Sequence, residues 1–187
     1  AAAEVTRIVA RPDGQQHPWT TMPLFASRTA WLIRRLQTSV QRRMRISLAT
    51  LDRATVYMHL RNILESIQPD VINIHNIHGA QLPPDVVSVC AHYAPVVWTL
   101  HDMWSFTGRC AYSYGCDKYL TRCDQNCPTW TEYPSLPPRL ISDAWNRKRH
   151  LLGIHPDLVA VTPSQWLAER ARSGLWAHHS VTVIPNG

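Results

Sequence analysis

Four short apolar runs alternate with helical segments in the second part of this chain. The runs are rich in valine and isoleucine and do not alternate with polar residues, which is typical of strands in a buried parallel sheet. Segments with helical spacing separate them. The runs are Asp70–His75, Pro95–Leu100, Asp157–Ser164 and Ser180–Gly187, and the helical segments are 83–93, 138–152 and 165–173. The alternation predicts an α/β fold with a doubly wound, Rossmann-like parallel sheet.

The first 68 residues follow a different pattern. Val5–Ala10 is predicted to be a strand, closed by the turn signal Pro12-Asp13-Gly14, and a long helical region follows from Ser27 to Ile67 with a break near Thr50. Six arginines and no acidic residue lie between Arg28 and Arg45. This composition suits a helix on an anionic membrane surface, although a solvated basic face, or a helix packed on the sheet with its arginines pointing outward, is the preferred explanation.

Charge and hydropathy restrict the possible partners. The 187 residues carry a formal net charge of +6, which favours phosphates, nucleotides, nucleic acids or anionic headgroups. No apolar run approaches the length needed to cross a bilayer, and the N-terminus has no secretion signal. We therefore expect a cytoplasmic protein, with peripheral attachment to the inner face of the cell membrane as a further expectation.

Polar residues follow the ends of the predicted strands. In an open parallel sheet, ligands bind beyond the carboxyl ends of the strands, so side chains at these ends are expected to converge on one polar or phosphorylated ligand. A histidine after a strand is also a common surface or capping residue, and Thr-Pro-Ser before a helix is first of all a turn and N-cap. The candidates are His75, His78, Gly79, His101, Asp102, Thr162, Ser164 and Asn186.

Four of the five cysteines lie within eighteen residues of a loop at about 102–137. Cys110, Cys116, Cys123 and Cys127 are separated by five, six and three residues. Four thiolates on such a loop are able to close tetrahedrally on a structural zinc ion. Two disulfides, an iron–sulfur cluster or free thiols are the alternatives. Cys90 lies in a helical segment and is predicted to be a core residue.

Several segments together resemble a known enzyme family. They are PDVINIHNIHG, PVVWTLHDMWSFTGRCAYSYGCDKYLTRCDQNCP, VTPSQWLAERARSGL and VTVIPNG. They are similar to the N-terminal half of a family 4 glycosyltransferase of the type that builds exopolysaccharides such as colanic acid. The resemblance covers about Pro69 to Gly187.

This resemblance implies a GT-B fold and a retaining glycosyltransferase of bacterial polysaccharide synthesis. Its partners would be a nucleotide-sugar donor, held by a second domain, and a glycan or lipid-linked acceptor, and no catalytic metal is expected. It implies that His101 lies near the donor sugar, with Asp102 orienting His101 or an acceptor hydroxyl as the second catalytic residue. His78 lies at the end of the preceding strand.

The chain departs from the family pattern at both ends. The first strand with its glycine-rich turn and the donor domain are not found, so residues 1–187 are expected to form one incomplete acceptor-side domain that is inactive alone. Two other functions are considered: a zinc-containing nucleic-acid-binding domain, and a non-catalytic remnant of a transferase. Nucleic-acid binding is the weaker interpretation, because the cysteines and the arginine cluster lie apart in sequence.

Overall fold

A computed structural model of the chain describes residues 3–10, 20–24 and 49–186, with side chains in the first helix described from residue 53. The turn at Pro12–Gly14 and the basic segment from Arg28 to Arg45 lie outside these ranges. The chain divides into two compact units, Ala1–Gln68 and Pro69–Gly187. Each unit is described by itself, and the expectation of one incomplete domain stays a prediction.

The first unit contains two strands and a helix in its described part. Strand β1 (Thr6–Val9) pairs in parallel with β2 (Thr20–Pro23), and helix α1 covers Ala49–Ile67. Strand β1 lies within the segment predicted to be a strand, and α1 lies within the predicted helical region; residues 25–48 lie outside the described residues, so the predicted break near Thr50 stays a prediction. Strand β2 was not predicted, because Thr-Thr-Met-Pro has neither an apolar run nor a clear alternation.

The second unit is a parallel sheet with helices between its strands. The order along the sheet is β3-β4-β5-β6, and each pair of neighbours is parallel. The strands are β3 (Ile72–Ile74), β4 (Val96–Thr99), β5 (Val159–Thr162) and β6 (Ser180–Val183). All four lie within the predicted runs, so the α/β, Rossmann-like class is confirmed.

Three helices connect these strands, at the places that the spacing predicts. They are α2 (Val86–Ala91), α3 (Pro138–Ile154) and α4 (Gln165–Ser173). Helix α3 begins with proline, whose fixed φ suits the first turn. Helix α4 is capped by Ser164, whose side chain accepts a hydrogen bond from the Leu167 N–H.

The core of the second unit lies on one face of its sheet. Ile74, Trp98, Ala160 and Val181 are aligned across the four strands and are all buried. The indole of Trp98 meets that of buried Trp176 edge to face, at 5.9 Å between ring centroids. Residues of β4 and β5 that point the other way are only half-buried. The apolar runs predicted burial on both faces, whereas within this unit it is complete on one.

No helix in the described part of the chain is long and apolar enough to cross a bilayer.

Candidate functional site

The ends of β3 and β4 bring two histidines into contact. Ile74 is aligned with Trp98, so His75 lies opposite Thr99, and His101, two residues further along, is its diagonal neighbour on the same side. His75 Nδ1 and His101 Nε2 are 2.9 Å apart, and the rings are stacked with centroids 5.2 Å apart. One nitrogen donates and the other accepts, so the geometry fits a pair with at least one neutral ring.

The second contact at this edge joins His78 to Asp102. His78 Nε2 lies 3.1 Å from Asp102 Oδ2, and both side chains are largely buried. The other carboxylate oxygen accepts a hydrogen bond from the Trp104 N–H at 2.8 Å. The His78 ring also stacks on Trp104, with centroids 5.1 Å apart. Asp102 is therefore held on both oxygens and has little rotational freedom.

The surroundings of His75 favour its neutral form. Burial, and then the nearby His101, hold the pKa of His75 below its ordinary value. A neutral imidazole both donates and accepts a hydrogen bond, which suits the recognition of hydroxyl groups. Two residues earlier on each strand, the Thr99 hydroxyl donates to Asn73 Oδ1 at 2.9 Å. This hydrogen bond links β3 to β4 next to the site.

An open pocket lies at this edge of the sheet. Six of its polar lining residues are His75, Asn76, His78, Thr99, His101 and Asp102. Gly79 lies beside it, where an added Cβ would make only ordinary contacts with Asn76 O at 3.6 Å and with Tyr133 OH at 3.8 Å. The structure therefore brings together four of the predicted site residues, His75, His78, His101 and Asp102. Their roles in binding or catalysis stay predictions.

Three other predicted site residues are not among those that line the pocket. Buried Thr162 donates to the Ser164 carbonyl at 3.2 Å, and the Ser164 side chain caps α4. Asn186 lies in the exposed segment after β6. The end of β5 is occupied by the turn that starts α4, so these hydroxyl groups form local hydrogen bonds. Their proposed part in substrate binding stays a prediction.

Sequence reasoning missed Lys148, a buried cation next to the site. Its Nζ donates to the Trp104 and Thr107 carbonyls at 2.6 and 2.8 Å and lies 3.7 Å from the Trp104 ring centroid. Burial lowers the pKa of Lys148 to about 7. The signal was present, because Lys148 follows Ile141 and Trp145 on the apolar stripe of α3. A lysine on such a stripe needs buried acceptors.

The four loop cysteines line a second pocket. Cys110 and Cys123 are buried, and Cys116 and Cys127 are partly exposed. Burial raises the pKa of Cys123 to about 11 and also raises the pKa of Cys110. All five cysteines are free thiols, and Cys90 is buried as predicted. Among residues 3–10, 20–24 and 49–186, no three His, Cys, Asp or Glu side chains lie close enough together to hold a metal ion.

Buried Arg109 supports the loop that carries these cysteines. Its Nε donates to the Pro134 carbonyl at 2.8 Å and its Nη2 to the Glu132 carbonyl at 2.6 Å. Its Nη1 donates to both the carbonyl and the hydroxyl of Thr129. One guanidinium thus satisfies acceptors from three residues of a segment that has no strand or α-helix.

Comparison with known proteins gave one informative similarity. Over 138 residues, the chain is 33% identical to an Escherichia coli (strain K12) protein named "Putative colanic acid biosynthesis glycosyl transferase WcaC". Part of this chain is similar to a glycosyl transferase. The matched region is 68% of this chain and 33% of the relative, so the chain spans about a third of the length of the protein that it matches.

Two other comparisons gave no match. No known protein family and no solved structure matches the chain. The similarity to the Escherichia coli protein supports a glycosyltransferase relationship for the matched region. It does not show that the chain belongs to family 4 or has the GT-B architecture, so both stay predictions.

Proposed function

We propose that this chain is the acceptor-side part of a glycosyltransferase in bacterial polysaccharide synthesis. The proposed enzyme moves a sugar from a nucleotide-sugar donor to a glycan or lipid-linked acceptor, with retention of configuration, as a hexosyltransferase of the GT-B type. The donor is held by a second domain, so the 187 residues alone do not transfer sugar. The proposed location is the cytoplasmic face of the cell membrane.

The observation that carries this proposal is the pairing of His75 with His101 and of His78 with Asp102 at one sheet edge. Sugars present many hydroxyl groups that both donate and accept hydrogen bonds. Imidazoles and a carboxylate supply both kinds of partner, and here they are held by neighbouring strands and by Trp104. In the proposed site, His101 contacts the donor sugar, and Asp102, whose carboxylate pairs with His78 rather than with His101, orients an acceptor hydroxyl.

The chemistry of glycosyl transfer suits such a site. The reaction develops positive charge on the sugar and negative charge on the departing diphosphate, so hydrogen-bond donors fixed in advance contribute more than a mobile nucleophile. The similarity to a protein named for colanic acid biosynthesis supports polysaccharide synthesis as the setting. It says nothing about which sugar moves, and the proposal names none.

The test measures binding at the imidazoles of the purified chain. Histidine ring signals are followed by NMR while oligosaccharide acceptors, lipid-linked acceptors and nucleotide sugars are added in turn. We expect acceptor glycans to shift the His75, His78 and His101 signals. His78→Ala removes the partner of Asp102 and should weaken this binding by at least about 10-fold, the loss of about 1.4 kcal/mol. The matched control is His178→Ala, because His178 is exposed and precedes β6 at the opposite edge.

Transfer is measured on the same samples. We expect no sugar transfer by the chain alone, so appreciable transfer would refute the statement that it needs a second domain. Salt-dependent binding of RNA or DNA without any response to glycans would refute the transferase proposal and favour a nucleic-acid-binding domain. Equal binding of acceptor glycans by the wild type and His78→Ala would remove His78 and Asp102 from the acceptor site.

A further inference from the structure

We propose that Cys110, Cys116, Cys123 and Cys127 form a four-thiolate site for one structural zinc ion. The proposal does not rest on the proposed transferase function, since it concerns a different pocket. Its starting point is that all four side chains line the same small pocket, although they span eighteen residues of a loop with little regular structure. Cys90, the fifth cysteine, lies in α2 and is not among the residues that line this pocket.

Hydrogen-bonding groups already lie beside three of the four sulfur atoms. The backbone N–H of Gly108 donates to the sulfur of Cys123. The hydroxyl of Thr129 lies 3.5 Å from Cys110 Sγ and 3.7 Å from Cys127 Sγ. Partners of this kind orient metal ligands and stabilise their charged form, and they are a regular part of metal sites. The pocket thus offers a backbone donor to Cys123 and one hydroxyl shared by Cys110 and Cys127.

Positive charges surround the same pocket. Lys118 lines the pocket within electrostatic reach of Cys116 and Cys127, and its ammonium group is also paired with the Asp124 carboxylate at 2.7 Å. The amine of buried Lys148 lies within reach of Cys110 and Cys123. The Arg109 guanidinium is a further cation near Cys110. Four thiolates around Zn²⁺ leave a net charge of −2, and nearby cations offset this charge. Each sulfur therefore has a basic group nearby.

Binding requires the sulfur atoms to move inward. As described, they are not close enough to hold an ion, whereas zinc–sulfur bonds are about 2.3 Å long. Each thiol would give its proton to solvent as it binds, so four protons leave when one ion enters. The ion would then fix a loop whose regular structure is limited to short 3-10 turns at Trp104–Phe106 and Lys118–Leu120.

The test is the metal content and cobalt spectrum of the reduced, untagged chain. We expect one zinc ion per chain by elemental analysis. Cobalt(II) added to the metal-free chain should give thiolate-to-cobalt charge-transfer absorption and the visible bands of a tetrahedral site. Cys123→Ser should weaken binding by more than about 100-fold, because loss of even an outer partner of a metal ligand costs about 10–100-fold. Cys90→Ala is the matched control and should bind normally.

If Cys123→Ser fails to fold, the cobalt spectrum of the wild-type chain still tests the proposal. The intensity of the thiolate-to-cobalt charge-transfer absorption reports how many thiolates bind the ion. Four titratable thiols without metal binding would overturn the proposal, and so would two disulfides. Iron with inorganic sulfide would replace zinc by a cluster and also overturn it. Unchanged zinc content in Cys116→Ser and Cys123→Ser would show that the ion lies elsewhere.

Discussion

The sheet edge with its two histidine contacts and the cysteine loop differ in how their side chains are positioned. At the edge, the pairing of β3 with β4 brings the two strand ends together, and His75 meets His101 diagonally, two residues beyond its aligned neighbour Thr99. In the loop no strand or α-helix is present, and buried cations bind its carbonyl oxygens instead. The edge is thus fixed by regular hydrogen bonding, and the loop by a few side chains.

This difference predicts which region of the molecule single substitutions destabilise most. A strand keeps its position when one side chain is removed, because its neighbours still hold the backbone. A loop fixed by one guanidinium loses several hydrogen bonds at once when that group is removed. We therefore expect single substitutions to disturb the cysteine loop more than the sheet edge, and the disturbance to grow with the number of hydrogen bonds that each substitution breaks.

The largest effect is expected for Arg109→Met. The change leaves the carbonyls of Pro134, Glu132 and Thr129 without their donor, and each unsatisfied buried acceptor costs about 1–3 kcal/mol. We expect a loss of about 3 kcal/mol in the free energy of unfolding, measured by urea denaturation. Hydrogen exchange should increase in the loop before it does in β4. An equal loss for the exposed control Arg139→Met would contradict this account.

A smaller effect is expected for Gly108→Ala. An added Cβ at residue 108 would lie 2.6 Å from Ile141 Cγ2 and 2.8 Å from Cys123 Cβ, which is too close for either neighbour. Such overpacking costs about 1–3 kcal/mol, and a thermal melt should show it as a lower Tm. The control is Gly153→Ala in α3, where nothing lies within 4 Å of the new methyl group. It should stabilise the helix by about 0.5–1 kcal/mol.

If Gly108→Ala left the Tm unchanged, the approach of α3 to the cysteine loop would have to be looser than the structure describes. If Gly108→Ala lowered the Tm only in the presence of zinc, the added Cβ would be too close to its neighbours in the metal-bound form alone. Either result would weaken the contrast between a rigidly paired sheet edge and a tightly supported loop.

The smallest effect is expected from pH at the sheet edge. The pKa of His75 is lowered in the folded chain, so the unfolded chain binds the proton more readily. This contribution to stability is fully present above 6.5, the ordinary pKa, and is lost as the pH falls through the lower folded value. NMR titration should place the His75 pKa below 6.5.

His101→Ala sharpens this measurement. It removes the smaller cause of the shift, so the His75 pKa should rise part of the way towards 6.5 and stay below it because of burial. His155 is the internal control, since its pKa is lowered by burial alone and should not respond. A full return of His75 to 6.5 would show that charge repulsion, rather than burial, dominates at this edge.

Most of the second unit could be predicted from the sequence. Runs of branched apolar residues marked β4 and β5, and Ser164 and Gly174 marked the two ends of α4. These signals are local, so they can be read without knowing the fold. Strand β2 has no such signal, because its Thr-Thr-Met-Pro segment is defined mainly by its pairing with β1.

The candidate site could be predicted only in part. The order of elements placed His75 and His101 at one edge, but the contact of His78 with Asp102 depends on how the backbone turns after β4. The apolar stripe of α3 signals that Lys148 is buried, but which carbonyls Lys148 and Arg109 contact depends on how the loop folds. Long-range acceptors of this kind are visible only in three dimensions.

Burial of Lys148 also has a consequence for chemical labelling. The chain contains two lysines, and 36% of the Lys118 side chain is exposed whereas Lys148 is 2% exposed. An amine-directed reagent should therefore modify Lys118 of the folded chain readily and reach Lys148 only when the contact between α3 and the loop opens. The ratio of modified Lys148 to modified Lys118, measured by mass spectrometry, would report how often that contact opens.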